Sequence, residues 1–227
     1  MKEPAEREVV TLKAVKANPT VDKLIAGAND LLNAMGYTEH GHRHALLVSG
    51  ITRYILEQVG APEREIELGS IAAYLHDIGN VVNRINHPMI GAVIAMQILR
   101  EMGMPPEEIA PIVGAIGNHE EHEGIPISRM SAALIIADKS DVHFSRVQNP
   151  VFESFDIHDR VNYAVQKSRI EMSSDSDDIT LRLEIDTGVA TVMEYFEIFL
   201  SRMIMCRKSA NVLGYRFKLE INGTLLE

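Results

Sequence analysis

The histidines of this chain are unevenly placed. Eight of the nine, His40, His42, His44, His76, His87, His119, His122 and His143, lie in the first two thirds of its 227 residues, and only His158 lies beyond. Imidazole nitrogens and carboxylate oxygens together suit hard or borderline divalent metals. His76 and Asp77 end the apolar run IAAYLHDIGN. Adjacent helical residues point about 100° apart, so both reach one centre only where the helix ends or distorts. Taken alone, the pair is better read as a helix-terminal histidine beside a capping or solvated aspartate. Asp138 closes SAALIIAD. A buried carboxylate there is costly without a cation, a metal or several donors, so an ion pair with Lys139 or an arginine competes with a metal role. His119 ends a stretch with Ile109, Ile112, Val113 and Ile116 at helical spacing. His40 and His44 lie one turn apart, and His87 precedes a proline at a helix mouth. Each histidine alone reads as a surface or satisfied residue. In succession, helix ends carrying His44, His76-Asp77, His87, His119 and Asp138 point to one site, with His42 as the alternative to His44.

The elements that must position these groups follow from periodicity. Apolar spacing predicts helices over about 21–36, 42–59, 63–78, 88–102, 105–118 and 128–145, several stopped by Gly36, Gly60, Gly79 and Gly103. Residues 1–20 read as a lead-in and 21–150 as a helical core. After Pro150 the pattern changes. Residues 172–178 form a polar loop, ITLRLEID and YRFKLEI alternate as half-buried strands do, and residues 188–214 between them read as one long helix. The expected architecture is mainly α, with a strand–helix–strand extension over 151–227.

Bulk properties narrow the function. A formal charge of −10 argues against a nucleic-acid backbone as partner. No stretch is apolar enough to span a bilayer, the N-terminus lacks an apolar signal core, and a single cysteine, Cys206, rules out an internal disulfide framework. A cytoplasmic protein without a membrane partner is expected.

Four segments in order resemble the HD-domain superfamily of metal-dependent phosphohydrolases over roughly residues 38–146. YLHDIGN is similar to that family's LLHDIGK, HPMIGA to its HP-x-x-G, and NHEEHEG to the HHE-x-x-DG stretch of the HD-GYP branch. IIADKSDVHFSR is similar to its closing helix, which HD-type dinucleoside polyphosphate hydrolases share. The resemblance implies a first metal site of His44, His76, Asp77 and Asp138, with Asp77 bridging to a second metal on His87 and His119. It makes His76 and Asp77 the catalytic pair and places a third metal contact at His40. Asn118 stands where HD-GYP proteins have a histidine, Asn80 replaces a lysine, and Gly124-Ile125-Pro126 replaces the GYP signature.

The implied cofactor is one or two divalent transition metal ions, iron, manganese or nickel. The expected reaction is hydrolysis of a phosphomonoester, phosphodiester or phosphoanhydride in a small phosphorylated molecule of nucleotide type. Arg84, Lys139, Arg146 and His122 are the candidates for substrate contact. An HD-type di-iron oxygenase and a non-catalytic metal-stabilised nucleotide module are the competing readings. Met193, Phe196, Phe199, Met203 and Met205 on the long C-terminal helix read mostly as core, with a homodimer surface as the other use.

Overall fold

The first two helices start at side-chain caps. The computed structural model describes residues 9–121 and 124–226. Thr11 caps α1 (Leu12–Lys16) and Asn18 caps α2 (Pro19–Ala34), each accepting from the exposed N–H groups of the first turn. The succession continues with α3 (His42–Gln58), α4 (Glu63–Leu75), a 3-10 turn at Ile78–Val81, α5 (His87–Glu101), α6 (Pro106–Gly117) and α7 (Arg129–Lys139). The predicted helices are present, and two end early for reasons that matter to the site. The helix expected over 63–78 stops at Leu75 and tightens into the 3-10 turn. The helix expected over 128–145 stops at Lys139, where the Ser140 hydroxyl donates back to the Ala137 carbonyl (2.7 Å), and a short 3-10 turn follows at Phe144–Arg146.

One close approach decides where the 3-10 turn lies. A Cβ on Gly79 would sit 2.1 Å from the His87 carbonyl oxygen and 2.5 Å from the Gly91 nitrogen, so only glycine lets this turn pack on the start of α5. Asn86, in the left-handed conformation (φ 60°), then turns the chain into α5.

Beyond Pro150 the chain adds α8 (Ile157–Ala164), β1 (Val165–Ser173), β2 (Asp178–Ile185), α9 (Val192–Val212), β3 (Arg216–Ile221) and β4 (Thr224–Leu226). The sheet order is β1-β2-β3-β4. β2 and β3 pair in parallel because α9 carries the chain between them, as the strand–helix–strand reading requires. Antiparallel β1 and β4 flank this unit. The predicted polar loop narrows to residues 174–177, a turn joining β1 to β2. Asn222-Gly223, both at positive φ, turns β3 into β4.

The core has two parts that meet at α7. Met130, Leu134 and Ala137 face the cluster built from α2, α4, α5 and α6, while Ala132, Ala133 and Ile136 face a second cluster with the sheet and α9. That two-sided burial is why SAALIIAD reads as continuously apolar. Near the N-terminus, Val10 and Val15 are buried in the first cluster. Among the described residues, no helix is long and apolar enough to cross a membrane.

Candidate metal centre

Four helix ends deliver four imidazoles to one point. His44 lies in the first turn of α3, His76 caps α4, His87 opens α5 and His119 follows α6. All four are essentially without solvent contact. Backbone carbonyls fix three of the rings: Nδ1 of His76 donates to Ala73 (2.7 Å), Nδ1 of His87 to Arg84 (2.9 Å) and Nδ1 of His119 to Ile116 (2.6 Å). The fourth, His44, donates from Nδ1 to the Asp141 carboxylate (2.6 Å). A carbonyl or an ionised carboxylate only accepts, so each Nδ1 carries a proton and each Nε2 points inward.

The Nε2 atoms meet in pairs around one carboxylate. His44 and His76 stand 3.2 Å apart at Nε2, and His87 and His119 stand 3.1 Å apart. Asp77 lies between the pairs. Its Oδ2 is 3.6 Å from His44 and 3.4 Å from His76, and its Oδ1 is 3.2 Å from His87 and 3.8 Å from His119. Asp138 Oδ1 closes the first group at 3.3 Å from His44 and 3.6 Å from His76. Facing lone pairs at such distances repel unless a proton or a cation lies between them. The donor atoms of His44, His76 and Asp77, of His76, His119 and Asp138, and of Asp77, His87 and His119 each fall within 4.8 Å of one another. The nitrogen and oxygen donors fit divalent transition metals, and the two oxygens of Asp77 fit a bridge.

A family model for the HD domain matches residues 41–143, the span holding every one of these donors. The match supports membership of the HD-domain superfamily. An uncharacterized protein of Methanocaldococcus jannaschii is 26% identical over 187 residues, which cover 70% of each chain. The crystal structure of a predicted HD superfamily hydrolase from an uncultured Thermotogales bacterium has a TM-score of 0.44 and 22% identity, covering 58% of this chain and 73% of that one. A Lactobacillus plantarum protein of known structure has a TM-score of 0.45 and 18% identity, covering 87% of this chain and 89% of that one.

Around these donors stands a second layer, of which the sequence named the Asp138–Lys139 ion pair and left the other contacts unassigned. Asn80 donates to Asp77 Oδ1 (2.8 Å) and to the Asp77 carbonyl (3.0 Å), so the residue that departs from the family lysine orients the bridging carboxylate. Asp141 accepts from His44 and from two Arg43 nitrogens (3.3 and 2.7 Å). Asp138 Oδ2 and Glu121 Oε2 both bind the Lys139 ammonium at 2.8 Å. The spacing of Asp138 and Asp141, one turn apart past an apolar run, was the available signal for Asp141.

The remaining sequence candidates fall in different places. His42 points away from the site and pairs with Asp22 at 3.0 Å, which leaves His44 as the inward residue. His40 stacks edge-on against His44, but its Nδ1 donates to Thr38 O (2.6 Å), its Nε2 accepts from Arg146 (2.9 Å), and it joins none of the three donor groups. Burial and Arg146 hold His40 well below the ordinary imidazole pKa. Asn118 donates its side-chain amide to Gly114 O (3.0 Å) within its own helix. Arg146 donates to Asp141 O and Glu39 O, and Lys139 is held by its two carboxylates. Arg84 borders the open cleft beside His87, and His122 lies outside the described residues.

Electrostatics keep the carboxylates ionised. Burial pushes the Asp77 carboxyl up, but His76, His119 and His87 outweigh it and hold the pKa well below the usual range. Burial likewise opposes the charge on Asp138, and Lys139, His44 and His76 overcome it. Burial and Arg146 disfavour a charged His44, while hydrogen bonds to Asp138 and Asp141 raise it to about 9. Its folded value exceeds the ordinary 6.5, so its contribution to stability is complete below about pH 6.5 and is lost as pH rises through about 9. Protein stripped with a chelator should therefore melt at falling temperature between those pH values. Added Mn²⁺ should abolish the decline, because metal and proton compete for the same Nε2. A flat melting profile in stripped protein would rule this coupling out.

Proposed function

We propose that this protein is a metal-dependent phosphohydrolase acting on a small phosphorylated molecule, with a nucleotide as the leading class. The observation that carries the reading is the convergence of four inward Nε2 atoms on the two oxygens of one buried, ionised aspartate. His44, His76, Asp77 and Asp138 would hold one divalent ion, and Asp77, His87 and His119 a second. Such ions supply Lewis acidity toward phosphoryl oxygens and lower the pKa of a coordinated water toward neutrality.

The chain's own residues have the complementary tasks. Asn80 fixes the Asp77 carboxylate so that one oxygen faces each histidine pair. Lys139 occupies Asp138 Oδ2 and leaves Oδ1 toward His44 and His76. A cleft of about 450 Å³ opens beside His87, with Arg84 on its wall and Glu120 3.5 Å from both Arg84 and His87. A volume in the range of small-molecule sites suits a compact substrate rather than a polymer. The Arg84 guanidinium supplies fixed positive charge where a phosphoryl group would enter.

The test has two parts. Metal content is measured by mass spectrometry on protein purified without added metal, and the same preparation is screened against phosphomonoesters, phosphodiesters and nucleotide anhydrides. One to two equivalents of transition metal and phosphate release from one of these classes would support the reading. A loaded protein that consumes oxygen and releases no phosphate would replace it with the oxygenase.

A further inference from the structure

The cleft over the metal centre is not walled by the HD core alone. We propose that Arg202, on the C-terminal helix α9, is a substrate-positioning residue that acts opposite Arg84 to bind a second anionic group, a phosphate beyond the one that reacts. The proposal rests on the phosphohydrolase reading and adds to it a substrate class with at least two phosphoryl groups.

Two hollows of about 450 and about 360 Å³ lie side by side, and the first reaches the centre at His87. His87 and Glu120 line the first, and His40 and Arg146 line the second. Arg84 and Arg202 border both, so the space between the two guanidiniums is common ground. Arg202 is rigidly held on one edge only. Its Nε donates to Glu121 Oε1 (3.0 Å), and its guanidinium lies over the Phe199 ring at 4.8 Å from the centroid. Neither Nη group has a partner among the described residues, and a guanidinium fixed at Nε presents the remaining fork to an incoming anion.

Arg202 is also tied to the cluster itself. Glu121 is gripped by Lys139, which in turn holds Asp138 Oδ2, each contact at 2.8 Å. Asp138, Lys139, Glu121 and Arg202 thus form a row of alternating charge from a ligand carboxylate to the cleft wall. Arg84, which borders the same two hollows, stands 3.2 Å from His87 Nε2 and 5.9 Å from the Tyr37 ring centre. A phosphoryl group at the metals would be neutralised there. A further phosphate would meet Arg202 and Arg84, on separate elements, with the planar donor geometry that phosphate oxygens match.

Calorimetry can separate this role from the chemistry. Inorganic phosphate and inorganic pyrophosphate are titrated, at fixed free Mn²⁺, into Mn²⁺-loaded wild type and into Arg202→Gln, whose amide can still donate to Glu121. Wild type is expected to bind pyrophosphate more tightly than phosphate. R202Q should weaken pyrophosphate by roughly 10- to 100-fold, the scale of a charged hydrogen-bonding pair, and leave phosphate unchanged. Arg202→Lys should recover only part of the loss. Equal weakening of both anions, or no change in either, would overturn the role of Arg202 while leaving the phosphohydrolase reading in place. A loaded wild type that binds neither anion would remove that reading, and the proposal with it. Melting temperature and metal content of the variants report whether the fold is kept.

Discussion

Asp77→Ala should empty both metal positions together and lower kcat/KM by about a thousandfold. Among the described residues Asp77 is the one side chain that gives an oxygen to each histidine pair, so its removal takes from both groups the carboxylate they share. Metals contribute several kcal/mol of charge stabilisation in the transition state, and about 4 kcal/mol corresponds to three decades in rate. Asp77→Asn should differ in an informative way. Asn80 donates to the position of Oδ1, which holds the amide oxygen of the variant on the His87 side and turns its NH₂ toward His44 and His76. Metal retained by D77N should accordingly be one weakly held equivalent, counted by mass spectrometry alongside turnover. Two tightly bound equivalents in D77A would refute the bridge.

Lys139→Met should be the most damaging substitution for stability. The side chain is 4% exposed and its ammonium lies 2.8 Å from both Asp138 and Glu121, which burial would otherwise make unfavourable as anions. Breaking a buried pair by removing one partner costs roughly 3–5 kcal/mol, because the remaining charge is left uncompensated. For a chain of this size each kcal/mol lowers Tm by about 2–4 °C, so a fall of roughly 6–20 °C in a thermal scan is expected. Mn²⁺ should restore part of it by giving Asp138 another cation. A change of only a degree or two would show that the two carboxylates are solvated rather than dependent on Lys139.

The sequence was most legible where periodicity and chemistry coincide. Gly36, Gly60 and Gly103, all at positive φ, end helices as read, and the donors lie at the helix ends that the apolar runs mark. Less visible were features that depend on distant segments. β1 carries Gln166, Lys167, Arg169 and Glu171 among few apolar residues, because one face lies open to water, so its alternation is weak. β4 is three residues long and has no periodicity to detect. Asn80 reads as a departure from a motif, and only its distance to Asp77 Oδ1 reveals its task. Arg202 lies 63 positions beyond Lys139 in sequence, and folding alone brings it to Glu121 and the cleft.

Helix α7 has no solvent side to give up. Its residues Ala132, Ala133 and Ile136 are covered by the C-terminal unit, while Met130, Leu134 and Ala137 face the other helices and Asp138 at its end reaches the metal donors. A chain cut at residue 150 would therefore wet an apolar flank of the very helix that aims Asp138. The ion-binding end and the sheet are in this sense two loads on one beam, and evolution could not readily trade the appendage for another without rebuilding the support of the site.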